Sequence, residues 1–154
     1  MKKVLIIDDE NRTRQLIAEM IESFDMDIET IPEGRNVKSG IKAIKIHNPD
    51  IVFLDIKMPD GTGFDILASM PNKTFEVIFI TAYEEFAIKA IKFNPLDYLL
   101  KPIDITELKA ALEKALKTIE NRSERAYLDV LQRGVRPLEK RRLALKRQEI
   151  IHFA

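Results

Sequence analysis

Short, uninterrupted apolar runs alternate along this chain with longer stretches in which apolar residues recur every three or four positions. Lys3 to Ile7, Asp50 to Leu54, Val77 to Ile80 and Asp97 to Leu100 are runs of the first kind, and Ile28 to Ile31 is a weaker one. Runs this short and this continuous predict strands buried on both faces. Between them, Leu16, Ile17, Met20 and Ile21 mark a helix over Asn11 to Phe24, and Val37, Ile41 and Ile44 mark a second that Asn48-Pro49 stops. Phe64 to Met70 predicts a short helix closed by Pro71, and Glu84 to Lys92, with Phe86, Ile88, Ala90 and Ile91, predicts another broken at Asn94-Pro95. A long helix begins at Ile105. Pro32-Glu33-Gly34 and Met58 to Gly63 have the chemistry of turns and loops. Five strand-helix units in this order predict a doubly wound α/β domain, a five-stranded parallel sheet with right-handed crossovers and helices on both faces.

Polar residues stand directly after the strand-like runs. Asp8 and Asp9 follow VLII, Asp55 follows IVFL, Thr81 follows VIFI and Lys101 follows YLL. Ligands of open α/β sheets bind outside the carboxyl ends of the strands, so these side chains converge at one rim. Asp8, Asp9 and Asp55 in close company disfavour one another's charged form and call for a cation. Oxygen donors without His or Cys suit a hard ion, and one or two carboxylates beside a phosphate is the Mg2+ pattern. Lys101 adds a fixed positive charge and Thr81 a hydroxyl. The set is suited to stabilising charge on a phosphoryl group in transfer, with Asp55 as nucleophile forming an aspartyl phosphate.

Composition narrows the alternatives. The chain has 154 residues, 45% of them hydrophobic and 32% charged, enough for one compact core with a remainder. It has no cysteine, which excludes disulfides and thiolate metal sites and suits a reducing compartment. The start MKKVLIIDDE lacks the apolar length of a signal peptide, and no stretch approaches the roughly 20 apolar residues of a membrane span. A cytoplasmic protein without membrane contact is expected. A dehalogenase-type phosphatase would place a second Asp at position 57, which is Lys, and neither GxGxxG nor GxxxxGK[ST] occurs. His47 and His152 are isolated.

The segments IIDDE, VFLDIKMPDGTGF, VIFITAY and DYLLKPI, in this order and spacing, resemble the receiver domains of two-component response regulators over roughly Lys2 to Ile119. The resemblance implies a flavodoxin-like strand order 2-1-3-4-5. It makes Asp55 the phosphoacceptor, Asp8 and Asp9 the acidic pair that holds Mg2+, and the backbone carbonyl of Lys57 a further ligand. Thr81 becomes the phosphate-sensing hydroxyl, Lys101 the phosphate partner and Tyr98 the aromatic that moves on activation, with Lys101-Pro102 cis. It further implies a sensor histidine kinase as partner and a chain that catalyses only its own phosphorylation and dephosphorylation, not an enzyme in the ordinary sense. Lys57 and Tyr83, two residues after Asp55 and Thr81, would flank the phosphoryl group and bear on its hydrolysis.

The last helix starts with an Asp104 cap and Glu107 three residues on, and its stripe of Ile105, Leu108, Leu112, Ala115 and Ile119 could continue beyond an interruption at Arg122. Gly134 reads as a stop. Net charge is zero overall, yet Arg133 to Arg147 holds seven Lys or Arg against one Glu. LALKRQEIIHFA resembles the opening of the LytTR DNA-binding domain of the LytR/AlgR class, and ITAYEEFAIKAIKFNPLDYLLKPI resembles the receivers of that class. Residues 1-120 are therefore read as a receiver domain, 121-140 as helix extension and linker, and 141-154 as the beginning of a truncated LytTR-like domain or a basic tail. DNA binding is expected only of a full-length parent; Arg141, Arg142, Lys146 and Arg147 alone offer nonspecific phosphate contacts. Activation is expected to bring homodimerisation through the Glu84 helix, the Asp97 strand and the last helix. Two other readings use the same fold: a phosphorylation-independent interaction or dimerisation module, and a stand-alone receiver that docks to a target protein.

Overall fold

The structure is a computed structural model that describes residues 1–134; the expectations for the linker to 140, for 141-154 and for the basic residues there lie outside the described residues. Two compact units divide the chain, Met1–Ala115 and Leu116–Ala154.

The first unit is built on a parallel sheet of β1 (Lys2–Ile7), β2 (Ile28–Gly34), β3 (Ile51–Leu54), β4 (Glu76–Thr81) and β5 (Asp97–Leu100), in the spatial order 2-1-3-4-5. That is the doubly wound, flavodoxin-like order expected. The connecting helices are α1 (Asn11–Glu22), α2 (Val37–His47), α3 (Gly63–Ala68), α4 (Ala87–Ala90) and α5 (Ile105–Gly134). Alternate strand residues serve opposite faces. Leu5, Ile7, Val52, Leu54, Val77 and Phe79 form one core with Ala43 and Ile44 of α2, Ile66 and Leu67 of α3 and Ala90 of α4. Val4, Ile6, Ile51, Phe53, Ile78 and Ile80 face the other way and are equally buried, as are Ile17 and Ile21 of α1 and Leu108 and Leu112 of α5. Burial on both faces is why these strands read as unbroken apolar runs.

Local chemistry ends the helices where the sequence predicts. Asn48 and Asn94 adopt left-handed conformations, with φ of 46° and 50°, at the ends of their helical segments. Asn36 and Ser39 form a capping box at the start of α2, and Asp60 from the following loop accepts from the N–H groups of Val37 (2.7 Å) and Lys38 (3.1 Å). Those backbone bonds hold the Asp60 carboxyl below its ordinary pKa. Thr62 and Asp65 box the start of α3 in the same way. Asp104 Oδ1 accepts from Thr106 N (2.7 Å) and Glu107 N (3.4 Å) to open α5.

The structure departs from the sequence expectations at several points. Pro32-Glu33-Gly34 is not a turn; it is the end of β2. The pairing moves from Leu5↔Ile31 to Ile7↔Gly34, so β2 carries one extra residue there. An edge strand tolerates a proline and a bulge that a central strand would not. Within Met58 to Gly63, Lys57–Met58 pairs antiparallel with Gly61–Thr62 in a two-residue ladder, and α3 already begins at Gly63. The segment Glu84 to Lys92 is not one helix but a 3-10 turn (Glu84–Phe86), the single turn α4 and a second 3-10 turn (Ile91–Phe93). Its inward residues are Phe86, Ala90 and Phe93, at four- and three-residue steps, and these pack on the core. Ile88 and Ile91 occupy the opposite side and are 81% and 70% exposed. Ile105, too, is exposed at the start of α5.

In the second unit the described residues are helical through Gly134, past Arg122, with Tyr127 and Val130 exposed and Arg133 paired to Asp129 at 3.3 Å. Among the described residues no helix is long and apolar enough to cross a membrane.

Candidate phosphoryl-transfer site

Each strand end delivers its polar residue through a main-chain bond that extends the ladder. Asp8 N donates to Gly34 O (2.8 Å), Asp55 N to Ile7 O (2.9 Å) and Lys101 N to Thr81 O (2.8 Å). Gly34 allows the first of these, because a Cβ there would lie 2.6 Å from Ile7 Cγ1. One carboxylate oxygen from each of Asp8, Asp9 and Asp55 lies within 4.8 Å of the others. Asp8 and Asp55 are buried and Asp9 is exposed.

Lys101 binds this cluster directly. Its Nζ donates to Asp8 Oδ2 at 2.7 Å and to Asp55 Oδ2 at 3.1 Å. Asp55 Oδ1 accepts from Ile56 N at 2.7 Å, and Asp8 Oδ1 accepts from Glu10 N at 2.9 Å. Burial and the Asp8 charge push the Asp55 carboxyl up to about 6 against the opposing pull of Lys101. Burial and Asp8 also raise Asp9. Burial works against the Lys101 charge, but the bond to Asp8 and the charge of Asp55 outweigh it and raise its pKa. The cluster is thus one cation short of comfortable ionisation. Three hard oxygen donors at this spacing, without His or Cys, fit a small divalent cation.

Thr81 is fully buried at the end of β4, and its Oγ1 accepts from Tyr83 N at 3.3 Å. Tyr98 is half-buried against Phe79, with ring centres 5.9 Å apart, and its hydroxyl donates to the carbonyl of Tyr83. Burial, with Glu85 next, raises the Tyr98 phenol. The peptide groups of Tyr83 therefore connect Thr81 and Tyr98, a link no side-chain pattern announces. Lys57, in the short ladder opposite Thr62, lays its Nζ 4.1 Å from the centre of the Tyr83 ring. The Lys101-Pro102 peptide is cis, as expected.

Arg14 belongs with this site although no motif marks it. It is a buried charge on the same stripe of α1 as Ile17, Ala18 and Ile21. Its Nη1 donates to the Asp8 carbonyl at 2.5 Å. A charged residue at an apolar-stripe position was the available signal.

The family model described as response regulator receiver domain matches residues 4–113. An uncharacterized response regulatory protein of Vibrio cholerae is 39% identical over 118 residues, covering 76% of this chain and 49% of its own length. The transcriptional regulatory protein BtsR of Escherichia coli is 40% identical over 131 residues, covering 84% of this chain and 52% of its own length. This chain thus spans about half the length of those relatives. Among solved structures, the response regulator protein TrrA of Thermotoga maritima in complex with Mg(2+)-BeF is similar at a TM-score of 0.65 and 28% identity, over 75% of this chain and 99% of that one.

Proposed function

The chain belongs to the response regulator receiver domain family, and from that premise we propose that Asp55 accepts a phosphoryl group from a sensor histidine kinase and that the resulting aspartyl phosphate switches an output. The observation that carries this reading is the Lys101 ammonium spanning Asp8 and Asp55 at 2.7 and 3.1 Å. It fixes a buried carboxylate at the end of the central strand and supplies positive charge where phosphoryl oxygens would gather.

Asp55 attacks phosphorus as the nucleophile, its carboxylate O–P bond forming as the P–N bond to the kinase's phosphohistidine breaks and the imidazole leaves. Asp8, Asp9 and Asp55, with the backbone carbonyl of Lys57, would hold Mg2+, which when bound offsets the negative charge of the three carboxylates and of the incoming phosphoryl group. The Mg(2+)-BeF complex of the Thermotoga maritima response regulator supports Mg2+ as the cation. Lys101 keeps its charge on the phosphoryl side. Thr81 gives up its contact with Tyr83 N to donate its hydroxyl to the new phosphoryl oxygen. Because the carbonyl of Tyr83, on that residue's other peptide group, receives the Tyr98 hydroxyl, that exchange reaches Tyr98 through the Tyr83 backbone and biases two conformations of the segment between β4 and β5.

The chain catalyses only its own phosphorylation and dephosphorylation. Its output is transcription, exerted through a C-terminal LytTR-type DNA-binding region of a longer parent of the LytR/AlgR class. The named role of BtsR as a transcriptional regulatory protein supports that part. Homodimerisation on activation uses the face of α4, β5 and the start of α5, where Ile88, Ile91, Leu100 and Ile105 are exposed.

The test is incubation with Mg2+ and acetyl phosphate, followed by intact mass spectrometry beside an Asp55→Asn control. A phosphoryl adduct that needs Mg2+ and is absent from the control supports the reading. No adduct, together with no beryllofluoride binding, would leave a phosphorylation-independent interaction module.

A further inference from the structure

Arg14 brings a positive charge into the interior of the first unit, and each nitrogen of its guanidinium has a bond. Nη1 donates to Asp8 O at 2.5 Å, Nε to Pro32 O at 3.3 Å and Nη2 to Asn11 Oδ1 at 3.1 Å. These three acceptors belong to three pieces of chain: the end of β1, the bulged end of β2 and the first turn of α1. The Asp8 carbonyl is the oxygen of the peptide that joins Asp8 to Asp9. Arg14 therefore holds the plane between the two acidic side chains, and Gly34 O holds Asp8 from its other peptide group at 2.8 Å. The second anchor, Pro32, lies within the bulged part of β2, between the pairs Leu5↔Ile31 and Ile7↔Gly34.

A planar fork can serve acceptors in different directions at once, and an ammonium on a flexible stem reproduces that poorly. The geometry also explains why a charge is kept on a helix stripe otherwise apolar. No carboxylate is needed there, because backbone and amide oxygens receive every guanidinium nitrogen.

We infer that Arg14 is a positioning residue for the acidic cluster, fixing the Asp8-Asp9 peptide so that the two carboxylates and Asp55 meet a divalent cation in one arrangement. This inference rests on the receiver reading of that cluster. Arg14 does not touch the phosphoryl group; it acts through Asp8. Partners that orient metal ligands from behind characteristically cost about 10–100-fold in metal affinity when removed.

The test is a calorimetric Mg2+ titration of the 154-residue chain as wild type, Arg14→Gln and Arg14→Lys, with thermal melts in EDTA and acetyl phosphate labelling across Mg2+ concentrations. Arg14→Gln should weaken Mg2+ binding about tenfold, and its labelling should recover toward the wild-type rate at saturating Mg2+. Arg14→Lys, which keeps the charge and reads the same question should the glutamine variant not fold, should weaken binding severalfold. Folded variants with wild-type Mg2+ affinity would overturn the inference, and so would full rescue by lysine, which would make charge alone the requirement. Wild type that neither binds Mg2+ nor takes the label would instead overturn the phosphoacceptor reading of the cluster beneath it.

Discussion

The Lys57 ammonium lies 4.1 Å from the centre of the Tyr83 ring, joining the residue two beyond Asp55 to the residue two beyond Thr81. Phe86 backs the same ring edge-on at 5.8 Å. The contact links the chain just beyond the ends of β3 and β4, and in the reading proposed for Asp55 these two residues flank its phosphoryl group. Lys57→Ala and Tyr83→Ala should each shorten the phosphoryl lifetime a few-fold, and the double variant should do little more than either. A double-mutant cycle on unfolding should return a coupling of about 0.5–1 kcal/mol, as expected of an exposed cation-aromatic pair. Additive effects on lifetime would mean that the pair does not act as a unit.

Asp55 gives the metal-free protein a pH dependence of definite sign. Its carboxyl stands at about 6 in the fold against an ordinary 3.8, raised first by burial and then by Asp8. The folded state therefore holds the proton more tightly than the unfolded chain does. That contribution is fully present below pH 3.8 and is lost as pH rises through about 6, with a ceiling of roughly 3 kcal/mol. In EDTA, Asp55→Asn should be more stable than wild type at pH 7.5, by about 1–2 kcal/mol, and the two should converge near pH 4. Urea midpoints at both pH values decide it. A less stable Asp55→Asn at pH 7.5 would show that the Lys101 contact dominates over burial. Added Mg2+ should raise the midpoint of wild type and not that of the variant.

What the sequence disclosed follows physical lines. The central strands were legible because burial on both faces leaves an unbroken apolar signature, and the strand-end residues Asp8, Asp55, Thr81 and Lys101 were legible as interruptions of it. Pro32 misled because proline usually marks a turn, and only the sheet order reveals that β2 is an edge able to carry it. The Glu84 to Lys92 segment is harder to read because its apolar residues serve two sides, Phe86 and Ala90 on the core and Ile88 and Ile91 in solvent. Arg14 is hard to see in sequence because a charge on a helix is usually solvated, and here it is buried. The role of Tyr83 between Thr81 and Tyr98 was out of reach, since it uses peptide groups that every residue possesses.

Gly63 is required by closeness to the Asp55 backbone. A Cβ there would run into the backbone carbonyl oxygen of Asp55 and come within 3.0 Å of Leu54 Cγ. Gly63 N also donates to Ile56 O at 2.7 Å, so the start of α3 cannot simply move away. Gly63→Ala should cost about 1–3 kcal/mol, the range for forcing atoms into a packed site, and should lower the rate of Asp55 labelling in the fraction still folded. Unfolding curves and labelling at a temperature well below the midpoint separate the two effects. Wild-type values for both would mean that the backbone there yields more easily than its bonds imply.

Ile88 and Ile91 stand three residues apart on the exposed side of the α4 segment, and burying either fully is worth about 1.5–3 kcal/mol. Their inward counterparts Phe86, Ala90 and Phe93 already serve the core, so intramolecular packing does not account for two isoleucines in water. The switch proposed for Thr81 and Tyr98 would act on this same segment, which makes the exposed pair a natural partner surface in the activated form. Ile88→Asp with Ile91→Asp should leave the melting midpoint of the unphosphorylated protein nearly unchanged, because surface substitutions usually fall within about 0.5 kcal/mol. The same double variant should abolish dimer formation after beryllofluoride activation, read by sedimentation velocity. Retention of an activation-dependent dimer would place the interface elsewhere, and a dimer in wild type that ignores beryllofluoride would separate association from phosphorylation.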